Sequence, residues 1–68
     1  MNYQILVRGR IGRTMRAAFP GLHAEAQGEA TLLTGTLPDQ AALHGVLGRI
    51  GALGLELLEV RRLEGRAP

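Results

Sequence analysis

The segment HGVLGRIGALG, residues 44–54, places glycine at every third position, Gly45, Gly48, Gly51 and Gly54, and this spacing decides what the second half of the chain can become. Glycine inside a helix costs about 0.8 to 1 kcal/mol relative to alanine, and a strict Gly-X-Y run is the mark of a collagen strand. Collagen needs many more repeats and abundant proline, whereas this chain holds 3 prolines in all. The residues between the glycines carry the stronger signal. Leu43, Val46, Leu47, Ile50 and Leu53 form one apolar stripe at helical period. The spacing predicts a helix over residues 39–53 that tertiary contacts must hold. Pro38 and Asp39 suit its first turn, and Gly54 suits a left-handed stop after the last stripe residue. Ala41, His44, Gly48, Gly51 and Ala52 fall on a flank with little side-chain bulk, where another backbone can approach closely. The competing reading of those glycines is codon bias: an arginine-only chain rich in alanine, glycine and leucine is what a GC-rich genome tends to encode.

The first half reads as strands. Tyr3, Ile5 and Val7 alternate with Gln4, Leu6 and Arg8, a period of two. LHAEAQ alternates again, and ATLLTGTL is a Thr- and Leu-rich run separated from it by Gly28-Glu29, which reads as a hairpin turn. Between the first two strands, GRTMRAAF predicts a short helix capped by Thr14, with Met15, Ala18 and Phe19 on one side and Pro20-Gly21 ending it. Gly35 inside a strand predicts a close backbone approach, here expected from a helix. LELLEVRRL reads as a last strand, and the 64–68 tail as disordered. The expected order is therefore β-α-β-β-α-β over residues 1–63: an α+β domain with the ferredoxin-like split βαβ arrangement, a four-stranded antiparallel sheet, and a short first and longer second helix on one face. Ile5, Val7, Leu33, Leu37 and the Leu43–Leu53 stripe form the expected core. Leu6, Leu32 and part of the last strand face away from the helices, and an open face carrying several leucines is a candidate association surface.

Length makes that surface matter. A chain of 68 residues buries only about 60% of the surface its unfolded form exposes, so it needs help from disulfides, a metal or self-association. There is no cysteine, which excludes the first. His23 and Glu25, two apart on one strand face, offer a metal two ligands where zinc needs at least three, so neither a metal nor another cofactor is expected. A homo-oligomer, most simply a dimer, is the expectation left, with Leu6, Leu32, Thr34, His44 and Gly48 as candidate interface residues. The apolar run near the N-terminus is cut by Arg8, too short for a membrane span or a signal-peptide core, which points to the cytoplasm.

Catalysis is not expected. The chain lacks serine, cysteine and lysine, the commonest nucleophiles. Thr14, Thr31, Thr34 and Thr36 have no histidine at a suitable local spacing. The carboxylates Glu25, Glu29, Asp39, Glu56, Glu59 and Glu64 are spread over strand surfaces and turns rather than paired in a cleft.

One segment argues for an anion ligand. RGRIGRTMR sets Arg8, Arg10, Arg13 and Arg16 around Gly9 and Gly12, where guanidinium forks and exposed backbone N–H groups suit phosphate or nucleic acid. Arg8, Arg10, Gly12 and Arg13 are the candidate contacts. Gly9-Arg10-Ile11-Gly12 lies within this stretch, and its Gly12-ending Gly-x-x-Gly resembles the GXXG loop of KH RNA-binding domains, although a strand rather than a helix precedes it. The chain has 1 tyrosine and 1 phenylalanine, so the aromatic platforms of single-strand binders are missing. The net charge of +2 is also small, and solvated arginines balancing the 6 acids are the plainer reading. In the ferredoxin-like order Arg61 and Arg62 fall near Tyr3, away from Arg10.

Residues 31–62, TLLTGTLPDQAALHGVLGRIGALGLELLEVRR, resemble one half of small uncharacterised proteins of similar length from high-GC bacteria, through the pattern LTGxLxDQAALHGVLxRIxxLGLxLxxV over Leu33–Val60. That resemblance implies the strand-helix-strand arrangement and brings no activity with it. In its Asp-Gln-Ala-Ala-Leu-His-Gly run, Gln40, His44 and Gly48 step along one flank of the helix. A looser likeness, of fold only, is to ACT-like regulatory modules. The functional expectation is a non-catalytic homo-oligomeric interaction or regulatory module, with phosphate or nucleic-acid binding at residues 8–16 as the alternative.

Overall fold

A computed structural model of the chain describes residues 1–63; the 64–68 tail and the expectation attached to it lie outside the described residues. The elements follow in the order β1 (Asn2–Arg8), α1 (Arg13–Arg16), β2 (Leu22–Gln27), β3 (Ala30–Thr36), α2 (Gln40–Ala52) and β4 (Leu57–Leu63). The fold is α+β, and the strands form one four-stranded antiparallel sheet in the order β2-β3-β1-β4.

Period-two alternation in β1 becomes two different faces. Tyr3, Ile5 and Val7 are buried, while Gln4 and Leu6 are half-buried. Ile5 pairs with Leu33 on one side and Val60 on the other, so these three residues look toward the helices. The core joins Tyr3, Ile5, Val7, Ile11, Phe19, Leu33 and Leu37 to Leu43, Val46 and Ile50 of α2. Leu47 is only partly buried, and Leu53, the last residue of the stripe, is exposed. The stripe is thus narrower than its sequence spacing, because the helix ends where Leu53 would face the sheet.

Both ends of α2 are closed by specific contacts. Asp39 is the N-cap rather than a first-turn residue: its carboxylate accepts from the Ala42 N–H at 2.9 Å, satisfying one of the donors a helix start leaves open. At the other end Gly54, at φ +76°, donates to the Gly51 carbonyl at 3.0 Å. Leu55 then donates to the Ile50 carbonyl, also at 3.0 Å. That pair of bonds is a Schellman closure, and the left-handed residue it requires is the expected glycine.

Two local expectations are corrected. α1 spans only Arg13–Arg16, its N-cap is Gly12 without a side-chain bond, and Thr14 sits inside it instead of capping it. Phe19, beyond the helix, supplies most of the buried bulk of this segment. The close approach at Gly35 comes from the chain leading into β2 rather than from a helix: a Cβ there would meet the Gly21 oxygen at 2.6 Å and Leu22 Cδ2 at 2.7 Å. Gly45, Gly48 and Gly51 have nothing within 4 Å of where a Cβ would stand, so among the described residues of this chain no backbone packs against them.

Candidate functional site

The Arg-Gly segment is a fixed loop. Thr31, buried on the helix-facing side of β3 opposite Val7, donates its hydroxyl to the Gly9 carbonyl at 2.7 Å and accepts the Ile11 N–H at 3.2 Å. Gly9 itself adopts φ +92° and donates its N–H to the Glu29 carbonyl at 2.7 Å. The buried Ile11 anchors the loop into the core. The four expected anion contacts are not brought to one point. Arg8 Nε pairs with Glu56 Oε1 at 2.8 Å, and Arg10 Nη2 donates to the Gly28 carbonyl at 3.4 Å on the side of the β2–β3 turn. Gly12 and Arg13 are exposed at the start of α1. The register places Arg62 opposite Tyr3 and Arg61 opposite Gln4, so the basic residues of β4 stay apart from the loop as expected.

The other candidates divide between two sides of the protein. Leu6, Leu32 and Thr34 lie on the sheet face away from the helices, where Leu6 pairs with Leu32 and Gln4 with Thr34. His44 and Gly48 are exposed on the outer side of α2. The two groups lie on opposite sides of the protein. The open sheet face is also less apolar than its leucines suggest: Leu32 is only 9% exposed, Leu6 is half-buried, and in their row Glu25 pairs with Leu32 and Glu59 with Leu6 at the two edges. The next row runs His23, Thr34, Gln4, Arg61. His23 and Glu25 share this face as expected, and no group of three or more metal-ligating side chains occurs among the described residues.

Sequence reasoning placed part of the last strand on the open face; the feature it missed is that β4 is bare along its whole length. Among the described residues β4 is an outer strand paired only with β1, and all seven of its residues are exposed. Leu57, Leu58, Val60 and Leu63 are 42, 39, 37 and 38% exposed. Val60 and Leu57 face the helix side, opposite Ile5 and Val7, where a covering helix would bury them; Leu58 is the extra residue at a bulge between Glu59 and Leu57. The helices therefore cover β1 and β3 but leave β4 bare on both faces. The signal was present in LLEVRRL, whose apolar residues lie on both sides, but the position of α2 over the centre of the sheet is a tertiary fact. A strand edge with free backbone groups and apolar side chains is a template for pairing. The described residues enclose no cavity, so every candidate here is a surface.

The chain matches the family described as Domain of unknown function (DUF8691) over residues 2–61, which spans every element from β1 into β4. It belongs to the DUF8691 family. No curated protein and no solved structure matches it. Membership in DUF8691 carries no activity, so the surfaces above are the basis for a functional reading. No helix among the described residues is long and apolar enough to cross a membrane.

Proposed function

We propose that this DUF8691 protein is a cytoplasmic, non-catalytic interaction module with a ferredoxin-like βαββαβ arrangement, and that it works as a homodimer joined through the outer edge of β4. The observation that carries this reading is the exposure of β4 along its whole length, with Leu57, Leu58, Val60 and Leu63 all more than one-third accessible. Natural proteins blunt such edges with proline, charged side chains, bulges or a covering element. β4 has no proline and no covering helix, it carries Glu59, Arg61 and Arg62 among its apolar residues, and its bulge lies at one end, leaving the stretch from Glu59 to Leu63 regular against β1. The element order and the antiparallel neighbours β2-β3-β1-β4 support the ferredoxin-like assignment. Pairing β4 with a second β4 would continue the sheet to eight strands. It would also add the buried apolar area that a chain of this length lacks.

Light scattering across a micromolar to millimolar concentration series tests the reading. A mass of twice the chain, falling toward one chain on dilution, is expected; one-chain mass throughout overturns it. Val60→Lys puts a charge on the bare edge and shifts the equilibrium to monomer while leaving the circular dichroism spectrum intact.

A second reading, phosphate or nucleic-acid binding, is favoured by the Thr31 clamp, which holds Arg10, Arg13 and Arg16 exposed on a fixed loop. It predicts binding to labelled oligonucleotides that weakens steeply with salt and is reduced by Arg10→Ala with Arg13→Ala. Unchanged mobility at low salt removes it.

A further inference from the structure

Resting on the proposed β4 edge contact, we infer that two copies pair in a single register, with the two-fold axis passing Val60 and its counterpart, and that the charges of β4 select that register. A two-fold pair of antiparallel strands puts each residue opposite one whose number mirrors it across the axis, and residues opposite one another share a face. Glu59 and Arg61 lie on the same open face, opposite Leu6 and Gln4 of β1, and within one chain they already pair along the strand at 3.3 Å. With the axis at Val60, each Glu59 meets the Arg61 of the other copy, twice over. Shifting the axis to Glu59 sets two carboxylates face to face, and shifting it to Arg61 or Arg62 sets two guanidinium groups together. Like charges directly opposite on a sheet are unfavourable and opposite charges favourable.

Two further features point to the same axis. Val60 is the central residue of the described strand Leu57–Leu63, so this register overlaps the described residues most fully. The bulge sits at Leu57 and Leu58, outside the central Glu59–Arg61 stretch, which keeps the regular pairing geometry. On the helix side the axis brings two exposed Val60 side chains together. Exposed ion pairs add little affinity, but opposed signs fix alignment and exclude the wrong one, and that is the role assigned to Glu59 and Arg61 here.

Cysteine cross-linking reads the axis directly, because the natural chain contains no thiol. Residues facing each other across an antiparallel pair lie within disulfide reach, and residues two positions off the axis do not. Under mild air oxidation of the full chain, Val60→Cys is expected to give a disulfide-linked dimer on a non-reducing gel, with Leu58→Cys and Arg62→Cys at least tenfold slower. As the charge test, E59R and R61E should each self-associate at least fivefold more weakly than the natural chain. An equimolar mixture of the two should associate at least as tightly as the natural chain, because the surplus positive pair of one faces the surplus negative pair of the other. A natural chain that dimerises while cross-linking best at position 58 or 62, or while E59R and R61E associate unchanged, overturns the register and leaves the edge contact standing. A monomeric natural chain overturns both.

Discussion

Thr31 holds Gly9: the threonine hydroxyl, on a residue only 3% exposed, donates to the Gly9 carbonyl at 2.7 Å and takes the Ile11 N–H on its other side. β3 thereby fixes the loop that leaves β1 through one side chain, and the hydroxyl satisfies two backbone groups that the turn removes from the sheet ladder. Thr31→Val keeps the shape and leaves a buried N–H and a partly buried carbonyl without their partner. We expect a loss of about 1 to 3 kcal/mol in chemical denaturation, with Thr31→Ser recovering most of it. A Thr31→Val protein as stable as the natural one would mean that water reaches the loop.

The glycines of α2 divide by environment. Gly48 is exposed with open space where a Cβ would go, so Gly48→Ala should raise stability by roughly 0.5 to 1 kcal/mol. Gly54→Ala, at φ +76°, should lower it by about 1 to 2 kcal/mol. Gly35→Ala should be the most damaging of the three, since the added carbon meets the Gly21 oxygen, a backbone atom, at 2.6 Å. Thermal midpoints of the three variants, ranked in that order, check the assignment.

The apolar stripe should also divide. Ile50 is 2% exposed and packs into the core, so Ile50→Ala is expected to cost about 2 to 5 kcal/mol. Leu53, on the same stripe and 38% exposed, should cost under about 1 kcal/mol in the same denaturation experiment. Equal losses would place Leu53 under cover.

Asp39→Ala removes the oxygen that accepts the Ala42 N–H and should reduce stability by about 0.5 to 2 kcal/mol, whereas Asp39→Asn, which keeps an acceptor, should lose little. Far-ultraviolet circular dichroism against temperature separates the two.

Most of the fold was legible because its signals are local. The alternation at Tyr3, Ile5 and Val7, the Gly28-Glu29 turn between β2 and β3, and the left-handed Gly54 each depend on a few neighbouring residues. The register of Arg61 and Arg62 against β1 followed once the strand order did. What could not be read depends on distant parts of the chain. Gly35 lies close to Gly21 and Leu22 because β2 enters beside it, and Thr14 loses the cap position because Thr31 fixes the loop ahead of α1. The character of the candidate surfaces depends on distant residues for the same reason. Leu6 and Leu32 share a face, but whether that face is apolar depends on Glu25 and Glu59 arriving from β2 and β4. Nothing local in LLEVRRL says that α2 stops short of it.

The bare outer side of α2 has a dynamic consequence. At Gly45, Gly48 and Gly51 no Cβ shields the helical amides from water, and the helix is held by Leu43, Val46 and Ile50 on the sheet side and by Arg49, which donates to the Ala18 carbonyl at 2.7 Å. Deuterium should enter the amides of this solvent-facing row well before those of β1, so the protein would breathe by loosening α2 first while its sheet holds together.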